Sequence, residues 1–222
     1  MSDRDDIFAR IAEALTVPAP RPGHAQAATM ESPASRWLPP VGEAFEERAE
    51  LFGVNAIELR ADFRLLNSLE ECRTDLHEIC QHEGWAKIGT HRGTLTNAVC
   101  SVLDDLPVYY TDQSYDVNEL ESCDVGITEC DALIGQTGTV LVTARSAGGR
   151  ALSVLPPHHV VLARREQLLP DLPAAFSLLK EKYGSDYPSF ISLITGPSRT
   201  GDIERILVLG AHGPRKLTIL CW

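Results

Sequence analysis

Apolar positions along this chain recur first at helical and then at strand spacing. Over residues 3–16, Ile7, Phe8, Ile11, Ala12 and Leu15 share one helical face, which predicts a short amphipathic helix. Residues 17–40 hold six prolines among Ala, Ser and Gly and read as a linker. The α/β domain is expected over residues 41–222. Two helices are predicted there, near 43–60 (Phe45, Leu51, Phe52, Ile57) and 67–82 (Leu69, Cys72, Leu76, Ile79, Cys80). Strands are expected at 85–88, 108–110 and 123–128, with a helix around 95–103. Thr128, Glu129 and Asp131 gather at the end of the third strand.

The rhythm then changes. Apolar runs at 139–143, 151–155 and 160–163 follow one another with no room for crossover helices, so at least two of them are expected to pair antiparallel. Residues 146–149 supply a turn, and Pro156-Pro157 ends the middle run. A helix at 170–183 leads to a strand over 190–195, and residues 217–221 add a last one. The fold class is α/β, a mixed and mainly parallel sheet with helices on both faces.

Composition narrows the class of partner. The chain has 222 residues and a net charge of −11, which argues against nucleic acid and anionic membrane surfaces. No apolar run approaches the ~20 residues of a bilayer span, and the start lacks a signal-peptide core, so a cytoplasmic location is expected. None of the six cysteines forms a Cys-x-x-Cys, and their spacing matches neither a cluster nor a zinc site. They are expected to be buried thiols, and no cofactor or metal is expected in this chain.

Three polar groups carry candidate chemistry. The first is Thr137-Gly138-Thr139, hydroxyls around a glycine that admits a ligand to the backbone. The second is Arg150 with Ser153 and His158. The third begins at the strand end Thr195-Gly196-Pro197-Ser198-Arg199-Thr200-Gly201-Asp202, where Ser198, Thr200 or Asp202 is placed to cap a helix. Ile203, Ile206, Leu207 and Gly210 continue that helix, and His212-Gly213-Pro214 follows it. A strand end opening into a helix N-terminus suits a carboxylate or phosphate, and Arg150 and Arg199 suit the same ligand.

Each group has a structural reading too. The threonines satisfy turn backbone equally well, and Arg150 fits a surface ion pair. The strand–helix junction needs no ligand. His158 and His159 are adjacent, so on a strand they face opposite ways and cannot both enter one pocket. His212 with Asp202 or Glu204 lacks the spacing of a helical zinc motif. No Gly-x-Ser-x-Gly elbow is present. Glu129 and Asp131 fit either acid/base groups or a solvated turn.

The same residues resemble the LUD domain (DUF162) family, and within it the lactate utilization C proteins. The matching text is Asp131-Ala132-Leu133-Ile134-Gly135-Gln136-Thr137-Gly138-Thr139, then Arg150-x-x-Ser153-x-Leu155-Pro156-Pro157-x-His159. Gly196-Pro197-Ser198-Arg199-Thr200-x-Asp202-Ile203-Glu204 and Gly210-x-His212-Gly213-Pro214 complete it. Gly135 stands where the family usually has alanine. The resemblance covers about residues 45–221 and implies a fold like the ribose-5-phosphate isomerase and CoA-transferase group. It implies a part in oxidising L-lactate to pyruvate beside two partner proteins that carry iron–sulfur clusters. A chain without redox groups would be the ligand-binding or assembly component of that system. The alternative is a free-standing enzyme, isomerase or CoA-transferase-like, on a small anionic substrate. Glu129 or Asp131 would then be its base, and the Arg150/Ser198 region would hold the anion.

Overall fold

The computed structural model describes residues 3–16, 38–200, 208–209 and 212–222. The chain divides between residues 37 and 38. In the N-terminal unit, helix α1 (Asp3–Thr16) leaves Ile7, Phe8 and Ile11 exposed. Most of the expected linker lies outside the described residues.

The second unit is built on six parallel strands in the order β1-β12-β7-β4-β2-β3. These are β1 (Asp62–Leu65), β2 (Ile88–Thr90), β3 (Val108–Tyr110), β4 (Val125–Glu129), β7 (His158–Ala163) and β12 (Lys216–Cys221). A second sheet, β8-β5-β6-β9, stands apart from it. It contains β5 (Ala132–Ile134), β6 (Thr139–Thr143), β8 (Leu168–Leu169) and β9 (Ile191–Ile194). Here β6 pairs antiparallel with β5 and β9, while β5 and β8 run parallel. The mixed α/β class therefore holds, with the antiparallel part separated from the parallel one.

A parallel sheet must be covered on both faces. On one face, α3 (Leu69–Glu83) and α4 (Thr94–Cys100) set Leu76, Ile79 and Val99 against Ile127, Val160 and Leu220. On the other, α2 (Phe45–Glu58) and the second sheet set Phe52, Leu133 and Val140 against Val161, Leu217 and Ile219. The far side of the second sheet is covered by α6 (Leu172–Tyr183) through Ala175, Leu179 and Tyr183.

Local chemistry sets the ends of these elements. Ser68 caps α3 by accepting from the Glu71 N–H, and Gly84 stops it in the left-handed region. Asp171 caps α6 in the same way, with proline in the first turn. Short α5 (Val117–Glu121) is capped by Asp116.

Four expectations change. The buried stripe of α2 is Ala49, Phe52 and Ala56, whereas Ile57 is 75% exposed; small residues let the helix approach the turn at 135–137. The strand expected at 151–155 is a turn, in which the Val154 and Leu155 N–H groups both bond to the Ala151 carbonyl. Leu152 plugs a small apolar cluster with Leu120 and Cys123 instead of entering a sheet. The runs at 139–143 and 160–163 belong to different sheets, so neither is the other's antiparallel partner. Finally, Arg199–Thr200 is a short strand, β10, paired antiparallel with β11 (Val208–Leu209), which replaces the end of the expected helix. Its start at Asp202 lies outside the described residues.

The loop over residues 144–157 depends on one close approach. A Cβ built on Gly126 in β4 would stand 2.2 Å from the Leu152 carbonyl oxygen. Gly126→Ala is expected to destabilise the chain by about 3 kcal/mol or more, since backbone rather than a flexible side chain must move. Urea unfolding checks this through a lowered midpoint at unchanged m-value.

Candidate functional site

Strand β7 places its two histidines by simple alternation. His158 packs edge-on to Trp85 on the α3 side, with ring centroids 5.3 Å apart. His159 faces the second sheet. It is 1% exposed, and its Nε2 lies 2.9 Å from Thr128 Oγ1 of β4. Burial pushes its pKa down to about 3, and charge on His158 adds to the effect. The ring is therefore neutral at physiological pH, with one nitrogen engaged and Nδ1 without a hydrogen-bond partner among the described residues.

Ser153 stands on the same side. It is 4% exposed, and its Oγ is also buried without a partner. The 144–157 loop holds it there, tied down by the Thr111 hydroxyl, which donates to the Gly148 carbonyl at 2.7 Å. Ser153 and His159 line a crevice of about 160 Å³ together with Ser192, Ser198, His212 and Gly213. Ile194, Pro197, Pro214 and Leu217 supply its apolar wall. The two rims are joined by the Ser198 N–H, which donates to the Pro214 carbonyl at 2.8 Å. Buried polar atoms nearly always find partners. Here two residues that line one small crevice, Ser153 and His159, each carry an orphaned one. Thr128, and not a carboxylate, occupies the other nitrogen of His159, so no Ser–His–acid relay forms at this ring.

The expected site residues divide accordingly. Ser153, Ser198, His212 and Gly213 come together. His158 does not join them: its Nε2 lies 3.0 Å from Thr218 Oγ1 and it lines a cavity on the opposite face. His159, not singled out as a site residue from sequence, takes its place. Arg150 is exposed and stacks over Phe190 at 5.7 Å, outside the crevice lining. Arg199 is exposed at the start of β10, and its Nη2 lies 3.5 Å from where a Gly196 Cβ would stand. Thr200 is in β10, and Asp202 lies outside the described residues.

Thr137-Gly138-Thr139 is a structural turn. Gly138 has φ 60°, and a Cβ there would stand 2.8 Å from that of Asn55 in α2. Asn55 Nδ2 donates to the carbonyls of Gly135 and Gln136 at 2.9 and 3.1 Å, fixing the turn to the helix. Thr137 donates to Thr139, whose Oγ1 lies 2.9 Å from Thr195 Oγ1. The first and third polar groups thus meet through hydroxyls beside the crevice rather than inside it.

Neither candidate carboxylate lines the crevice. Glu129 Oε1 accepts from the Leu95 and Thr96 N–H groups at 2.7 and 3.2 Å, capping α4. Asp131 has a fully buried side chain and accepts from Lys182 Nζ at 2.6 Å and Tyr183 OH at 2.5 Å. Burial works to raise the Asp131 pKa, but the bonds from Lys182 and Tyr183 hold it below its ordinary value. The cysteines are all free thiols. Burial raises every one of their pKa values, to about 12 at Cys72, Cys100 and Cys221. Among the described residues no helix is long and apolar enough to cross a membrane.

The fold and crevice define a parallel-sheet α/β protein with a small, mainly apolar crevice between that sheet and a second one. Residues 112–221 match the model of the LUD domain. Lactate utilization protein C of Anoxybacillus flavithermus is 36% identical over 104 residues, 47% of this chain and 46% of that protein. The protein of the same name from Bacillus velezensis is 33% identical over 118 residues, 51% and 49%. The matched stretch thus spans about half the length of these relatives. A crystal structure of a DUF162 family protein from Deinococcus radiodurans has the same fold, with a TM-score of 0.65 at 18% identity. It covers 81% of this chain and 99% of its own.

The paired histidines set an acid limit on stability. His158 and His159 fall from the ordinary 6.5 to about 4 and about 3 in the folded chain, chiefly through burial. The unfolded chain therefore binds protons that the folded chain refuses, and stability drops as pH falls from 6.5 towards 4. Calorimetry across that window is expected to show a falling Tm. The slope should be shallower in His159→Gln, even if that variant melts lower at neutral pH.

Proposed function

We propose that this chain serves L-lactate utilization as a ligand-binding or assembly subunit. In this reading it holds a small carboxylate or phosphate in the crevice of Ser153 and His159, beside two iron–sulfur partner proteins. The observation that carries the reading is a crevice within residues 112–221 whose lining residues Ser153 and His159 each hold a buried, unpartnered polar atom. Relatives named lactate utilization protein C match about half of this chain.

Size supports a compact guest. At about 160 Å³ the crevice is about five waters in volume and well below the range of drug-sized pockets. Its hydroxyls and neutral imidazole suit hydrogen bonding to a hydroxy- or keto-acid. Oxidising lactate to pyruvate releases an electron pair and two protons, and protonated buried thiols cannot carry that pair away. Partner clusters are the acceptors in this reading, and the chain itself brings no cofactor. The free-standing enzyme is favoured less, because Glu129 and Asp131 are both engaged elsewhere.

Thermal shift and calorimetric titration with L-lactate and pyruvate test the binding. Ser153→Ala is expected to weaken binding about tenfold or more, the effect of losing a hydrogen bond to a charged group. Arg150→Ala should bind as the wild type does. If neither acid stabilises the wild type at millimolar concentration, the ligand-binding reading fails. The assembly role is checked separately, by co-purification with iron–sulfur proteins while the isolated chain stays colourless.

A further inference from the structure

At the N-terminal ends of β1, β7 and β12, on the α3 side of the sheet, lies a second and larger cavity of about 430 Å³. Its wall includes the cations Arg60, Arg64, Arg215 and Lys216, the carboxylates Asp62, Glu78 and Glu83, and the neutral imidazole of His158. Two of these cations are already engaged. Arg64 pairs with Asp62 and Asp75, each at 2.9 Å, and Lys216 pairs with Glu83. Arg60 and Arg215 have no ion pair among the described residues, although both line the cavity. Partial negative charge at the C-terminal ends of α2 and α3 accounts for some cations at this end. It does not account for Arg215, which follows Pro214 on a loop.

Two further observations point to a ligand here. His158 lines the cavity and is 5% exposed; its Nε2 bonds with Thr218, and its Nδ1 is buried without a partner. Arg60 has φ 62°, the sole positive φ outside glycine among the described residues. It follows α2, where the Ala61 N–H reaches back to the Ala56 carbonyl at 2.8 Å. Glycine would occupy that left-handed position without the penalty of a Cβ. The chain keeps a guanidinium there instead.

We propose that this cavity is a second ligand site, separate from the Ser153 crevice, and that it binds a hydroxylated organic phosphate. The free guanidiniums of Arg60 and Arg215 take the phosphate oxygens in the forked geometry that suits them. The exposed Glu78 at the wall takes a hydroxyl group, and the His158 ring lies against the bound molecule. The volume falls within the ordinary range for small-molecule sites.

Calorimetric titration of the full chain with glycerol 3-phosphate, inorganic phosphate and malate tests the proposal. Glycerol 3-phosphate is expected to bind best, and it should shift the His158 imidazole signals in NMR spectra. Arg60→Gly and Arg215→Ala are each expected to weaken it about tenfold or more. Arg60→Gly should at the same time hold or raise the melting temperature, which separates lost binding from lost folding. Arg150→Ala is the control for removing a cation elsewhere, and should bind unchanged. The proposal is overturned if glycerol 3-phosphate gives no binding at millimolar concentration or if malate binds as well. Wild-type affinity in both arginine variants, or unmoved His158 signals, would overturn it equally.

Discussion

Strand β7 is buried along its whole length, and both its faces must be covered by different parts of the chain. That constraint arranges much of the rest. Helices α3 and α4 cover one side, and α2 with the second sheet covers the other. Because a strand alternates its side chains, the covering layers also sort its polar ones: His158 goes to the helical side and His159 to the side of the second sheet. Two cavities on opposite faces follow from one dipeptide. Both lie near the N-terminal ends of β7 and β12, away from the carboxyl ends where ligands of open parallel sheets usually gather.

Much of the fold is legible in the sequence, because helix periodicity and capping act over a few residues. The stripe Cys72, Leu76, Ile79 and Cys80 defines α3 without knowledge of what it packs against. Short strands are less legible. Nothing local in Thr139–Thr143 or His158–Ala163 says that one joins an antiparallel hairpin and the other the heart of a parallel sheet. The run at 151–155 looks like a strand because its apolar residues are real; they fill a plug formed by successive turns. The opposite orientation of the two histidines follows from alternation alone. Which of them faces the crevice depends on where the second sheet docks, and that is a tertiary fact.

The candidate site was legible by block and not by residue. Ser153, Ser198 and the 212–214 loop come from separate polar blocks that the fold brings to one place. The carboxylates illustrate the opposite outcome. Glu129 ends β4 where the N–H groups of α4 need an acceptor, and Asp131 stands where Lys182 and Tyr183 reach in from α6. An acid at a strand end has the same local sequence whether it serves a reaction or joins two elements. Its hydrogen bonds decide, and these are set across dozens of residues.

The six thiols give the chain an unusual chemical temperament. A thiol whose pKa is near 12 is thiolate in only about one molecule in a hundred thousand at neutral pH, and thiolate is the form that oxidants and alkylating agents attack. Cys72 and Cys221, which are also buried, are therefore expected to react slowly while the chain is folded. Their reactivity reports on opening of the core instead, so slow labelling of these sulfurs would serve as a built-in clock for unfolding.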